Sequence, residues 1–72
     1  MRFMRLEDVA EELNVNMPVV RGLVRSGELP AIQIGGRGLW RVERSEFEAY
    51  VERQYAASRE AAEKHKSEQP AE

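Results

Sequence analysis

The chain has no cysteine and no threonine, and it has only one histidine, His65. Without cysteine it forms no disulfide and offers no thiolate as a metal ligand or nucleophile, and one histidine cannot build a metal cluster. None of its four serines lies beside the histidine in sequence. We therefore expect a protein that is not an enzyme and that uses no metal and no other cofactor.

Long apolar runs are also missing from the sequence. No stretch approaches the roughly 20 apolar residues that cross a bilayer, and no signal-peptide segment opens the chain. A length of 72 residues leaves room for one small domain and for no separate effector domain. We expect a cytoplasmic module with no membrane partner and no small-molecule effector.

Charge is distributed unevenly along the chain, whose formal net charge is -2. Residues 16–44 contain five arginines and two glutamates, whereas residues 45–72 contain four basic and seven acidic side chains. Such an asymmetry is more informative about partners than the net charge. The basic segment of residues 16–44 is compatible with a nucleic-acid partner even though the net charge of the chain is negative.

The first third of the chain predicts two short helices. Four apolar residues have the spacing of one amphipathic stripe: Leu6, Val9, Ala10 and Leu13. Asn14 suits the left-handed end of that helix, Asn16 can cap the next one, and Pro18 fits its first turn. Gly27 suits the end of the second helix. Its predicted buried side consists of Val20, Leu23 and Val24. Two helices with so short a connection predict a helix-turn-helix.

The apolar period then changes from helical to alternating. Residues 32–34 and 39–42 each alternate, and residues 35–38 between them are rich in glycine, which predicts a β-hairpin of the kind called a wing. Ser45 followed by Glu48 has the spacing of a capping box and predicts the start of a third helix. The predicted apolar stripe of that helix is Phe47, Tyr50, Val51 and Tyr55.

This order of elements predicts an α+β, mostly helical fold: a small winged helix-turn-helix with a two-stranded β-hairpin wing and a C-terminal helix. We expect this domain to span residues 1–55. Residues 56–66 contain alanines and charged side chains and predict a helical extension with little to bury. Residues 67–72 are expected to be a frayed polar tail.

The sequence resembles a known family. The segments Leu6-Glu7-Asp8-Val9-Ala10-Glu11-Glu12-Leu13-Asn14-Val15-Asn16 and Leu23-Val24-Arg25-Ser26-Gly27-Glu28-Leu29-Pro30-Ala31 are similar to the MerR-like, excisionase-type winged helix-turn-helix domain. The similarity continues through Ile32–Arg37, Trp40–Val42 and Ser45–Tyr50. The resemblance implies a small bacterial, phage or plasmid DNA-binding protein, either a transcriptional regulator or a recombination directionality factor, and cooperative binding to DNA.

The interface with double-stranded DNA is predicted to consist of the second helix and the wing. We expect residues 17–26 to enter the major groove, with Arg21 reading bases and Arg25 meeting phosphate, and residues 35–38 to lie on the minor groove or the backbone. The outward face of the second helix is expected to include Gly22, tolerated in the helix interior at some cost. The candidate DNA-binding residues are Asn16, Met17, Arg21, Arg25, Arg37, Arg41 and Arg44.

Each of these assignments has a plainer alternative. Arg21 and Arg25 could be solvated surface arginines, and Arg37 could be an exposed residue of an ordinary turn. We expect Trp40 to be a core anchor rather than a stacking platform. The glycines of residues 35–38 do not indicate a nucleotide-phosphate loop, because a strand and not a helix follows them.

Two functions of different classes therefore remain. The first is DNA binding, in which a monomer with few phosphate contacts binds cooperatively with its neighbours on repeated sites. The C-terminal residues lack convincing coiled-coil heptads, so we expect side-by-side assembly rather than a stable two-fold dimer. The second is a protein-interaction module that keeps the winged-helix fold with little DNA affinity, suggested by the apolar Met17-Pro18-Val19 segment and the acidic C-terminal third.

Overall fold

The computed structural model describes residues 1–36 and 38–64. The element order is β1 (Phe3–Arg5), α1 (Leu6–Leu13), α2 (Met17–Ser26), β2 (Ile32–Ile34), β3 (Leu39–Glu43) and α3 (Arg44–Lys64). The strands form one antiparallel sheet in the order β1-β3-β2. The predicted α+β, mostly helical, winged helix-turn-helix architecture is confirmed.

The helix ends follow from local chemistry. Asn14 adopts a left-handed conformation with φ of 58°, and its backbone N–H donates to the Glu11 carbonyl at 3.2 Å. The Asn16 side-chain oxygen accepts from the Val19 backbone N–H at 3.4 Å, which caps α2. Gly27 ends α2 with φ of 86°. These three caps were predicted, because a cap requires only a few neighbouring residues.

The sheet has one strand more than the predicted hairpin. In β1, Phe3 pairs with Glu43, Met4 with Val42 and Arg5 with Arg41. A 2.8 Å ion pair between Arg2 and Glu43 and a 2.7 Å hydrogen bond from the Arg44 backbone N–H to the Arg2 carbonyl secure the same end. The prediction of a two-stranded sheet was incomplete, because a three-residue strand is specified by its distant partner and not by its own sequence.

The core lies between the helices and one face of the sheet. Its buried side chains are Met4, Val9, Ala10, Val20, Leu29, Val42 and Phe47. Half-buried side chains surround them, including the predicted Leu6, Leu13, Leu23, Val24, Tyr50 and Val51. Leu29 was not predicted to be buried. Its backbone N–H donates to the Leu23 carbonyl at 3.1 Å, which ties the loop after α2 to the last turns of that helix.

Two predicted positions differ in the structure. Met17 was placed on the outward face of the second helix, but it is half-buried and packs against the core. Trp40 was expected in the core, but 36% of its surface is exposed. Trp40 is on the inner face of β3 with Val42, yet it lies toward the wing, beyond the side chains that fill the core. Burial at that position depends on how far the helices extend along the sheet.

The third helix begins one residue earlier than predicted. α3 starts at Arg44, so Ser45 lies in its first turn and not at the capping position. The helix is continuous through residue 64, so residues 56–64 belong to the same helix as the residues before them. Arg53 connects α3 to the loop after α2, because the Arg53 guanidinium donates to the Glu28 carbonyl at 2.9 Å. The predictions for residues 65 and 66 and for residues 67–72 lie outside the described residues.

Candidate nucleic-acid interface

The exposed face of α2 presents two arginines one helical turn apart. Arg21 and Arg25 are both exposed, at the i and i+4 spacing that puts two side chains on one face. Val19, 46% exposed, and Pro18 precede them at the start of the helix. Val20 points the other way and is fully buried. The buried side of α2 thus holds the helix against the core while the arginines face solvent.

These two arginines are electrostatically available. Across residues 1–36 and 38–64, the ion pairs are Arg2–Glu43 and Arg5–Asp8, so neither Arg21 nor Arg25 takes part in one. Arginine stays charged at any pH that a protein experiences, and its planar fork suits phosphate oxygens and the paired acceptors of guanine. The face of α2 therefore offers two fixed positive charges to an anionic ligand.

A cleft separates α2 from the wing. It has a volume of about 420 Å³ and is lined by Leu6, Val24, Trp40 and the two arginines of α2. A second hollow of about 320 Å³ shares Leu6, Arg21 and Trp40 with it and reaches Gly38 and Arg41 on the wing side. The start of α1, the exposed face of α2 and the start of β3 therefore meet around one depression.

Arg5 lies at the rim of this depression but is already neutralised. Its guanidinium donates to an oxygen of Asp8 at 3.2 Å, and its backbone N–H donates to the other oxygen at 3.0 Å. These hydrogen bonds lower the pKa of Asp8, and Asp8 in turn raises the pKa of Arg5. This pair closes the first turn of α1 rather than offering a free charge.

The remaining candidate residues are spread over the molecule. Asn16 is exposed at the start of α2, where its side chain acts as the helix cap. Arg41 is half-buried and donates to the Trp40 carbonyl at 2.8 Å. Arg44 is half-buried on another side, where it donates to the Met1 carbonyl at 3.1 Å beside the acids of α1. Arg37 lies outside the described residues.

The structure therefore places Arg21 and Arg25 on the cleft, places Met17 and Arg41 with Arg21 on the second hollow, and keeps Arg44 apart from both. Sequence reasoning missed the contribution of Leu6 and misassigned Trp40, both of which line the cleft. The position of Trp40 two residues after the glycine-rich turn was the available signal, because such a position lies near the end of a sheet and not at its centre.

Comparison with protein families identifies this arrangement, since residues 3–55 match the model of the helix-turn-helix domain. The chain belongs to the helix-turn-helix domain family. Searches of curated proteins and of solved structures returned no match. The matched span includes α1, α2, the sheet and the first half of α3, and it makes the chain a DNA-binding helix-turn-helix protein.

Two further findings concern membrane-spanning helices and metal-binding groups. Within the part of the chain that the structure describes, no helix is both long and apolar enough to cross a membrane. The described residues also contain no group of three or more histidine, aspartate or glutamate side chains that could hold a metal ion. Helix-turn-helix domains of this family are typically not enzymes.

Proposed function

We propose that the protein is a sequence-preferring DNA-binding factor of the MerR-like, excisionase-like type, acting as a transcriptional regulator or as an architectural factor in recombination. The observation that supports this most directly is the pair of exposed arginines on α2, which form no ion pair within residues 1–36 and 38–64 and lie beside a cleft that opens toward the wing. α2 enters the major groove, and residues 35–38 lie on the neighbouring minor groove or on the backbone.

The two arginines have different roles in this proposal. Arg21 lies near the middle of the exposed face and reads guanine through its two acceptors, a contact worth about 1–3 kcal/mol of discrimination. Arg25, in the last turn of α2, contacts phosphate. Phosphate contacts add affinity for any sequence and make binding sensitive to salt, whereas base contacts set the preferred sequence.

The test is selection from a random pool of DNA duplexes, followed by affinity measurements on the selected site at several salt concentrations. We expect Arg21→Ala to weaken binding and relax the preference at one base position. Arg25→Ala should weaken binding to all sequences and reduce the salt slope by about one. Arg59→Ala is the matched control, because it removes the same charge from the exposed outer part of α3.

Copies of the protein are proposed to assemble side by side on repeated sites. About four phosphate contacts per copy give weak binding by a single copy, with a salt slope near -3 to -4. The selected DNA should therefore contain repeated half-sites, and sedimentation of the free protein should give a monomer at micromolar concentration. A stable dimer in solution would contradict this mode of assembly.

A protein-interaction module is the second candidate, and one observation favours it. The outer face of the wing carries three exposed apolar side chains, Ile32, Ile34 and Leu39, in addition to Val19 on α2. If the protein serves this function, Arg21→Ala and Arg59→Ala will have equally little effect on its activity. Failure to retain any duplex at about 50 mM salt, where phosphate contacts are strong, would favour this candidate.

A further inference from the structure

A partly exposed tryptophan lies in the cleft between α2 and the wing. Trp40 is the only tryptophan of the chain and is 36% exposed. It shares the cleft with two apolar residues, Leu6 and Val24, and with two arginines, Arg21 and Arg25. The cleft thus combines an aromatic ring, an apolar floor and two positive charges.

This combination matches one part of a DNA duplex. The sugar–phosphate backbone presents an apolar face on each deoxyribose and a negative charge on each phosphate. A helix in the major groove and a wing on the adjacent minor groove lie on opposite sides of a single backbone strand. In the proposed docking that strand passes across the cleft, because the cleft lies between α2 and β3.

We propose that this cleft seats one segment of the DNA backbone, with Trp40 as a direct contact residue. The indole ring packs on a deoxyribose and its N–H donates to a phosphate oxygen, while Arg25 neutralises the phosphate. Arg21, on the same face of α2, remains directed at the bases. This inference rests on the proposed DNA-binding function and adds a contact that carries no sequence information.

Stacking on a base is the competing role for an exposed tryptophan. In a duplex it requires a base to leave the stack, at a cost of a few kcal/mol. Single-stranded DNA presents its bases at no such cost, so a stacking platform favours single strands. A backbone seat formed jointly by α2 and the wing instead favours the duplex, because the two grooves position both elements.

The first measurement uses the unaltered protein, because Trp40 alone contributes tryptophan fluorescence. We expect saturating duplex to protect Trp40 from quenching by acrylamide, and a single strand of the same sequence to do so only at much higher concentration. Unchanged quenching on a duplex that demonstrably binds would overturn the proposal while leaving the DNA-binding function intact. If the unaltered protein bound no duplex at all, the proposed DNA-binding function itself would be overturned, so the two failures are distinguishable.

The second measurement compares variants on the same duplex. Trp40→Ala should weaken binding about tenfold, and Trp40→Phe, which keeps a ring but lacks the N–H, should lose less. Neither should change the salt slope, since tryptophan carries no charge. Tyr55→Ala is the control, because it also removes an aromatic ring, but one that is 61% exposed on α3 and does not line the cleft.

Thermal unfolding of each variant distinguishes the loss of a DNA contact from the loss of the folded structure. If Trp40→Ala fails to fold, Trp40→Phe and the quenching of the unaltered protein decide the question. Affinities of the folded Trp40 variants equal to that of Tyr55→Ala would overturn the proposal. Preferential protection by the single strand would overturn it in favour of base stacking.

Discussion

Gly22 lies in the interior of α2, and its replacement by alanine gives a sharp test of the helix. A methyl group built on Gly22 meets no atom within 4 Å, so alanine fits without displacing a neighbour. Glycine in a helix interior is less favourable than alanine by about 0.5–1 kcal/mol, chiefly through backbone entropy. We therefore expect Gly22→Ala to increase the free energy of unfolding by that amount.

The assay is thermal unfolding followed by circular dichroism. For a domain of 60–100 residues, 1 kcal/mol corresponds to a change of about 4–8 °C in Tm, so the expected increase is readily measured. Gly27→Ala is the matched control, because its added methyl group also meets nothing within 4 Å but its φ is +86°. Alanine in that left-handed conformation costs about 1–2 kcal/mol, so this variant should lower Tm.

Changes of the same sign in the two variants would refute the reasoning, because the positions differ in backbone conformation and not in free space. The same proteins also test what Gly22 contributes to binding. We expect Gly22→Ala to bind DNA as the unaltered chain does, since the glycine is tolerated rather than required. A higher Tm together with weaker binding would show instead that the missing side chain allows close approach to DNA.

Three further outcomes can be measured on the same preparations. Leu29→Ala should lower the free energy of unfolding by about 2–5 kcal/mol in urea, because Leu29 is fully buried, and a loss below 1 kcal/mol would contradict its place in the core. The pKa of Asp8 is lowered by Arg5, so their interaction stabilises the fold above about pH 4 and is lost as the pH falls through the lowered value. Asp8→Asn should therefore be less stable than the unaltered chain at neutral pH, with the difference shrinking in acid; a difference independent of pH would contradict the assignment. Arg53→Ala should lower Tm by removing the hydrogen bond to the Glu28 carbonyl, whereas Arg59→Ala should not.

The candidate site was predictable in part. The exposed face of α2 followed from the period of Val20, Leu23 and Val24, because a helix with one buried side must present the opposite side to solvent. Met17 faces outward only in part, since it packs against the core and also lines the second hollow beside Arg21 and Trp40. Whether the predicted residues contact DNA stays a prediction.

The sequence by itself determined the order of the elements and the ends of the first two helices. Asn14, Asn16 and Gly27 act through bonds and backbone conformations within a few residues, so their effects do not depend on the rest of the fold. The alternation of the hairpin is local in the same sense. The helix caps and the strand alternation are therefore encoded by the local sequence alone.

Only the tertiary structure decided the third strand, the burial of Leu29 and the exposure of Trp40. Met4 pairs with Val42, a partner far along the chain, and no local pattern marks a strand of three residues. Trp40 lies on the inner face of the sheet, but its exposure depends on where α1 and α2 stop covering that face. The cleft exists for the same reason, because its walls come from segments that only folding brings together.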